Sequence, residues 1–295
     1  MEAPRARKHL LGVALLALGC AWSAVAAAGY DPAALKRGEY LFYASGGCGC
    51  HVRPKSDDKT LSGGRALKTP FGVYYSSNIT SDKDAGIGGW SADDFYNAMT
   101  HGVRPDGANL FPTFPYTSFT HMRRADVYDL QRYVATLPPS PRRNQEPGAP
   151  FPFNIRAAIT PWKWLFLDAR EFSPDPTKSA EWNRGAYLAT AIGHCTECHS
   201  PRNLLGAVVK SRYLGGAAEG PEGKVPNITP AAKGIGNWDV SDIVTYMKTG
   251  MTPDGDFAGG IMAELIDDGY QHMTDEDLQA IAVYLKSVPP LDSAS

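Results

Sequence analysis

Cys195-Thr196-Glu197-Cys198-His199 is the stretch that decides the reading of this chain. Thiols at i and i+3 lie about one helical turn apart, which matches the separation of two porphyrin vinyl groups. The histidine directly after them presents an imidazole to the iron. Cys-x-x-Cys-His is the attachment spacing of a c-type haem. A zinc site on the same residues needs a fourth ligand with its own spacing, and none is evident. Cys195 and Cys198 are therefore expected to hold a haem covalently, with His199 as its proximal ligand.

A shortened copy occurs at Cys48-Gly49-Cys50-His51. One residue is missing between the cysteines, and regular helix cannot set the sulfurs of Cys-x-Cys one turn apart. Three outcomes are open. Both thiols attach under strain, or Cys50 alone forms a thioether while His51 still binds iron, or Cys48 and Cys50 close a disulfide and no haem is held. The disulfide is itself strained across a single residue. The rest of the first pocket survives, which favours a retained haem. Two haem c groups are expected.

The two motifs belong to an internal repeat. Arg37-Gly38-Glu39-Tyr40-Leu41 returns as Arg184-Gly185-Ala186-Tyr187-Leu188, each arginine eleven residues before its first cysteine. Asn78-Ile79-Thr80 returns as Asn227-Ile228-Thr229, and Gly86-Ile87-Gly88-Gly89-Trp90 as Gly234-Ile235-Gly236-Asn237-Trp238. Gly-x-x-Pro-Asp-Gly comes next at 102–107 and 250–255, and both halves close on Pro-Pro at 138–139 and 289–290. Opening helices are expected around Leu35–Tyr43 and Trp182–Thr190. Gly38 and Gly185 within them would let another helix cross closely. Middle helices should start at Ser91 and Asp239, each with an acid three residues on in a capping-box pattern, and stop at Gly102 and Gly250. The last helices carry one apolar stripe at matching offsets: Val127, Leu130, Val134, Leu137 and Leu278, Ile281, Leu285, Val288.

The domains are thus read as 29–139 and 177–295. A linker at 140–176 begins rich in Pro and Arg and turns apolar from Phe151 to Leu167, with Trp162 and Trp164. So many large apolar groups do not suit a flexible tether. The linker is expected to pack against both domains, the alternative being an exposed patch that docks a partner.

A carrier haem needs a sixth ligand, and thioether sulfur raises its potential. Met99 and Met247 pair inside the middle helices, where packing is the expected role. Met122 pairs with Met273 before the last helix, while Met262 pairs with Phe114. Met262 is chosen for the second haem over Met273, because Gly259-Gly260 lets the backbone approach a flat cofactor. Met122 is chosen for the first, with His121 and His272 standing beside these methionines as the bis-histidine alternative. Arg202 is expected to meet a haem propionate, as are Trp90, Trp238, Asn78 and Asn227 through their side-chain donors.

The chain has 295 residues, 43 % of them hydrophobic, with a formal charge of −2. No basic stripe is present, so nucleic acid is not an expected partner. Residues 1–28 read as a signal peptide: Arg5, Arg7 and Lys8, an apolar run from Leu10, and Ala26-Ala27-Ala28 before the cut. The apolar run is short for a spanning helix, and no later segment reaches that length, so membrane association is expected only through partners.

With these residues in view, the chain resembles the diheme cytochrome c family related to the cytochrome subunits of periplasmic alcohol and gluconate dehydrogenases. The stretches that carry the resemblance are Arg-Gly-x-Tyr-Leu before each cysteine pair, Pro70-Phe71-Gly72, the Asn-Ile-Thr and Gly-Ile-Gly-x-Trp segments, Phe111 to Tyr116, and Cys198 to Asn203. It implies an all-α chain of two tandem class I cytochrome c-like domains joined by a partly packed linker. It also implies a periplasmic location and relay of electrons from a dehydrogenase large subunit to a cytochrome or oxidase, with no substrate chemistry of the chain's own. Met262 within Gly-Gly-x-Met-Ala-Glu fits the same resemblance as a ligand. The competing reading is a diheme enzyme of peroxidase or thiosulfate-oxidising type, which wants an open or unusually ligated iron. Fold alone does not separate the two.

Overall fold

A computed structural model of the chain describes residues 31–53, 59–220 and 223–291; the expected signal peptide lies outside them. Helix α1 (Pro32–Ala44) starts on Asp31, whose carboxylate accepts the Ala33 N–H. It leads into a 3₁₀ turn at Gly49–His51. The small hairpin β1 (Ala66–Thr69) and β2 (Gly72–Tyr75) comes next. Helix α2 (Ala92–His101) has the full capping box between Ser91 and Asp94 and ends on Gly102 at φ 59°. Then come the single turn α3 (Tyr116–Phe119) and α4 (Arg124–Val134).

The second half repeats this order. Helix α6 (Ala180–Tyr187) runs on into a π turn at Leu188–Ile192, and α7 (Thr196–His199) carries the second motif. The hairpin β3 (Ala217–Gly220) and β4 (Gly223–Val225) precedes α8 (Val240–Thr249), capped by Asp239 with Asp242 and stopped by Gly250 at φ 76°. Helices α9 (Gly260–Asp268) and α10 (Asp275–Ser287) close the chain. The two hairpins are the only strand pairs among the described residues. They occupy the loops between each motif histidine and the Asn-Ile-Thr segment, which the helical periodicity passes over.

The apolar stripes of the last helices face inward: Val127 and Leu278 are fully buried, and Leu130, Val134, Ile281 and Leu285 nearly so. Each such side chain is worth about 1.5–3 kcal/mol on burial. In each half the first and last helices pack together, with a glycine at the crossing. A Cβ added at Gly38 would stand 2.0 Å from the Asp129 carbonyl oxygen, and one at Gly185 1.8 Å from that of Ala280. No side chain fits at either position.

One apolar core runs through both halves, joining Leu41, Phe95 and Leu130 to Leu188, Ile243 and Leu285. The contact between halves is reciprocal. Tyr187 Oη donates to Asp126 Oδ2 at 2.5 Å and accepts from the Arg123 backbone N–H at 3.1 Å. Tyr40 Oη donates to Asp277 and accepts from the Thr274 N–H at 3.4 Å. Both tyrosines come from the Arg-Gly-x-Tyr-Leu segments, and each reaches the same place on the last helix of the other half. The repeats therefore pack about a pseudo-two-fold axis.

The 140–176 segment holds a helix, α5 (Ile159–Phe166). Trp162 Nε1 donates to the Leu205 carbonyl at 2.8 Å, while Lys163 Nζ donates to the Gly102 carbonyl at 2.8 Å and to Asn109 Oδ1 at 2.7 Å. The segment thus touches both halves, yet Trp164 and Leu165 beside these residues are exposed, as are Leu204 and Leu205.

Candidate haem-binding site

The second motif is a single helical turn in which the His199 N–H donates to the Cys195 carbonyl at 2.9 Å, an i to i−4 bond. In the first motif His51 N–H donates to the Cys48 carbonyl at 2.8 Å, an i to i−3 bond. Losing one residue has turned an α turn into a 3₁₀ turn, and Cys48 absorbs the change with φ 52°. Past the histidine the two halves are bonded alike. The His51 carbonyl accepts Gly63 N–H at 2.7 Å, and the His199 carbonyl accepts Gly216 N–H at 2.8 Å.

The imidazoles are oriented in the same way. His51 Nδ1 lies 2.7 Å from the Ser77 carbonyl oxygen, and His199 Nδ1 2.8 Å from that of Pro226. Ser77 and Pro226 are repeat partners, each one residue before its asparagine. A carbonyl only accepts, so Nδ1 carries the proton and Nε2 is the lone-pair nitrogen. Burial pulls both imidazoles below the ordinary histidine range, and the carbonyl bonds only partly offset this. A neutral, pre-aimed Nε2 is the form that binds a metal.

Cys48, Cys50, Cys195 and Cys198 are free thiols. Burial pushes Cys48 and Cys195 up to about 12 and Cys198 to about 11. Among the described residues no group of three or more His, Cys, Asp or Glu is placed to hold a metal ion by itself. Paired thiols beside an imidazole with Nδ1 spoken for suit a porphyrin iron, where the macrocycle supplies four ligands. The donor set fits haem in both halves.

Asn78, Asn227 and Arg202, three of the residues expected near propionates, bond to the protein itself. Asn78 Nδ2 donates to the Ser140 and Arg142 carbonyls, both at 2.8 Å, while its Oδ1 accepts the Thr80 N–H and hydroxyl. Asn227 does the same with the Leu291 carbonyl and Thr229. These buried asparagines tie the loop to the chain that leaves each half. Arg202 donates to Glu197 Oε2 at 2.7 Å and to the carbonyls of Glu197 and Gly206. Trp238 packs edge-on to Tyr246 at 5.3 Å, and the backbone N–H of Trp90 and of Trp238 donates to the carbonyl of the isoleucine three residues before it.

Glu197, between the second pair of cysteines, carries no signal in the sequence, where it reads as a variable position. Its Oε1 accepts from Thr117 Oγ1 at 2.7 Å and Ser118 Oγ at 2.8 Å, both on α3 of the first half. Burial raises this carboxyl, but Arg202 and the hydroxyl bonds outweigh that and hold it below the usual range. In mirror fashion α9 packs on the Gly49–His51 turn, and Arg65 is paired with Glu264. Each motif is thus braced by the other half.

Of the methionines, Met122 and Met273 are each 1 % exposed, whereas Met262 stands partly buried in the first turn of α9. His121 Nδ1 is 2.6 Å from the Arg170 carbonyl, and the His272 ring lies against Tyr43 at 4.4 Å. No helix of the described residues is long and apolar enough to cross a membrane.

A model of the cytochrome c family matches residues 183–289. A diheme cytochrome c-type protein of Cereibacter sphaeroides is 43 % identical over 261 residues, covering 87 % of this chain and 86 % of that one. The fructose dehydrogenase cytochrome subunit of Gluconobacter japonicus is 41 % identical over 258 residues, 86 % of this chain but 52 % of that protein. The cytochrome c subunit of a quinone-type alcohol dehydrogenase from Gluconobacter oxydans is 33 % identical over 288 residues, 95 % of this chain and 60 % of its own length. The chain thus spans little more than half of these dehydrogenase subunits. A doubled pocket of cysteines and aimed histidine, and a likeness running through both halves, make this chain a member of the diheme c-type cytochromes, a family of electron-transfer proteins.

Proposed function

We propose that this chain is a periplasmic electron relay, serving as the cytochrome subunit or dedicated carrier of a dehydrogenase and passing electrons to a downstream cytochrome or oxidase. The observation that carries the reading is the pair of matching histidine pockets, each with its own thiols, on one shared core. Haem supplies the redox chemistry when bound. The protein's part is to hold each imidazole by its Nδ1 proton, to bury the pockets, and to brace one motif against the other half through Thr117, Ser118 and Glu197.

His51 and His199 are the proximal ligands in this reading, and Met262 is the distal ligand of the second haem. Cys195 and Cys198 attach that haem through two thioethers. The first is held through Cys50 alone. Cys50 precedes His51 as Cys198 precedes His199, whereas Cys48 sits in a left-handed residue and its sulfur lies 3.9 Å from Ser45 Oγ. The large subunit of a dehydrogenase is the proposed donor, by likeness to the fructose and alcohol dehydrogenase subunits. The exposed Trp164, Leu165, Leu204 and Leu205 give such a subunit an apolar face to cover.

The test is production in a host that matures c-type cytochromes. Mass spectrometry should find two haems on a chain lacking residues 1–28. Reduction should occur on addition of a co-purified dehydrogenase and its substrate. Colourless protein, or peroxide turnover faster than electron relay, would defeat the reading.

A further inference from the structure

The backbone fixes how the two distal segments correspond. After each middle helix the same turn forms: Arg104 N–H donates to the Ala108 carbonyl at 2.9 Å, and Thr252 N–H to that of Asp256 at 2.8 Å. Leu110 N–H then donates to Gly102, and Ala258 N–H to Gly250, both at 2.8 Å. Residues 102–110 therefore overlie 250–258 without a gap. Four residues further on, Phe114 falls on Met262, and both are partly buried against the shared core.

Counting back from the last helices gives the other correspondence. Met122 N–H donates to the Phe119 carbonyl at 2.9 Å, and Met273 N–H to that of Tyr270 at 3.0 Å. Each methionine stands five residues before the first fully buried residue of the stripe, Val127 or Leu278, and each is 1 % exposed. Met122 is the partner of Met273. Choosing Met262 for one haem and Met122 for the other therefore picks positions that the fold does not equate.

We infer that the first haem has no thioether on its distal side. Phe114 occupies the position that Met262 fills in the second half, and Met122 is a core residue like Met273. This rests on the two-haem reading above and reverses the expectation for Met122. A phenyl ring has no lone pair to give, and drawing the Met122 sulfur out of the close-packed core would leave a void behind it. His121 is the other donor nearby; its Nδ1 bonds the Arg170 carbonyl, which leaves Nε2 with the lone pair, but that bond and the one from Phe172 N–H to its own carbonyl at 2.9 Å tie the residue to residues 170–172 and not to the first motif. With Met122 in the core and His121 tied to residues 170–172, the first iron would keep a sixth position open to water or a small neutral diatomic ligand, whereas Met262 would close the second. One chain would then combine a sealed relay with a ligand-accepting haem.

Carbon monoxide added to the reduced two-haem protein is the probe. One equivalent should bind per chain, and the oxidised protein should show the far-red thioether-to-iron band at half the intensity of two such centres. M262L should abolish that band. F114M should double it and block carbon monoxide, and this variant fills no new core volume at Met122. A protein shown by mass to carry two haems that takes up no carbon monoxide overturns the inference and leaves the relay reading standing. So does loss of the band in M122L. A chain with no haem overturns both.

Discussion

Tyr187 of the second half hands its hydroxyl proton to Asp126 of the first at 2.5 Å, and the same bond runs back the other way from Tyr40 to Asp277. Two equivalent residues of a duplicated segment therefore hold the two copies together. A hydrogen bond to a charged group is worth about 1.5–3 kcal/mol. Tyr187→Phe should cost about that much, measured by denaturant unfolding of the haem-loaded protein. The loss should vanish in an Asp126→Ala background if the bond is its source.

The Asp277 end carries a pH signature. Burial raises its carboxyl, but the bonds from Arg184 at 2.8 and 2.7 Å and from Tyr40 hold it below the ordinary aspartate range. A depressed folded-state pKa means stability that is present above the unfolded value, about 3.9, and lost as pH falls through the folded one. Acid unfolding should therefore steepen below about pH 4. Asp277→Asn should flatten that limb while lowering stability near neutral pH.

At the helix crossings no room is left for a methyl group. Gly185→Ala places a Cβ against the Ala280 backbone, and backbone cannot rotate away as a side chain does. The helices must part, at a cost of about 1–3 kcal/mol or more. Gly38→Ala should behave alike. Thermal melting would show both, and an unchanged Tm would contradict the crossing.

The first attachment site separates its two cysteines. Cys50→Ala should yield a chain that loses the first haem on denaturation, whereas Cys48→Ala should retain two haems covalently. In the parent protein, alkylation after unfolding should label one thiol in the mature chain, at Cys48. Covalent retention of two haems by both variants, with no thiol labelled in the parent, would mean double attachment.

Much of this was legible in local sequence. The capping boxes at Ser91 and Asp239, the terminal glycines and the buried stripes are short-range patterns, and the structure keeps them where the spacing put them. The hairpins were not legible, because their strands are only three or four residues each, too short for a period of two to stand out. Nor were the tyrosine–aspartate bonds, which join residues 61 and 237 positions apart and leave no local trace. Asn78 and Asn227 read as donors toward a cofactor, yet burial makes them satisfy backbone carbonyls first. The repeat itself was visible, but the three extra residues of α9 shift one register against the other. The pairing of Met122 with Met273 and of Met262 with Phe114 was nonetheless legible in the repeat, and the turn hydrogen bonds agree with it.

The apolar interior shared by both halves bears on how this molecule comes apart. With the main core of each copy completed by the other, a protease that nicks the exposed stretch around Trp164 should not set free two working cytochromes. The severed pieces should stay associated and melt in one calorimetric step, the behaviour of a dimer whose subunits happen to share a peptide chain.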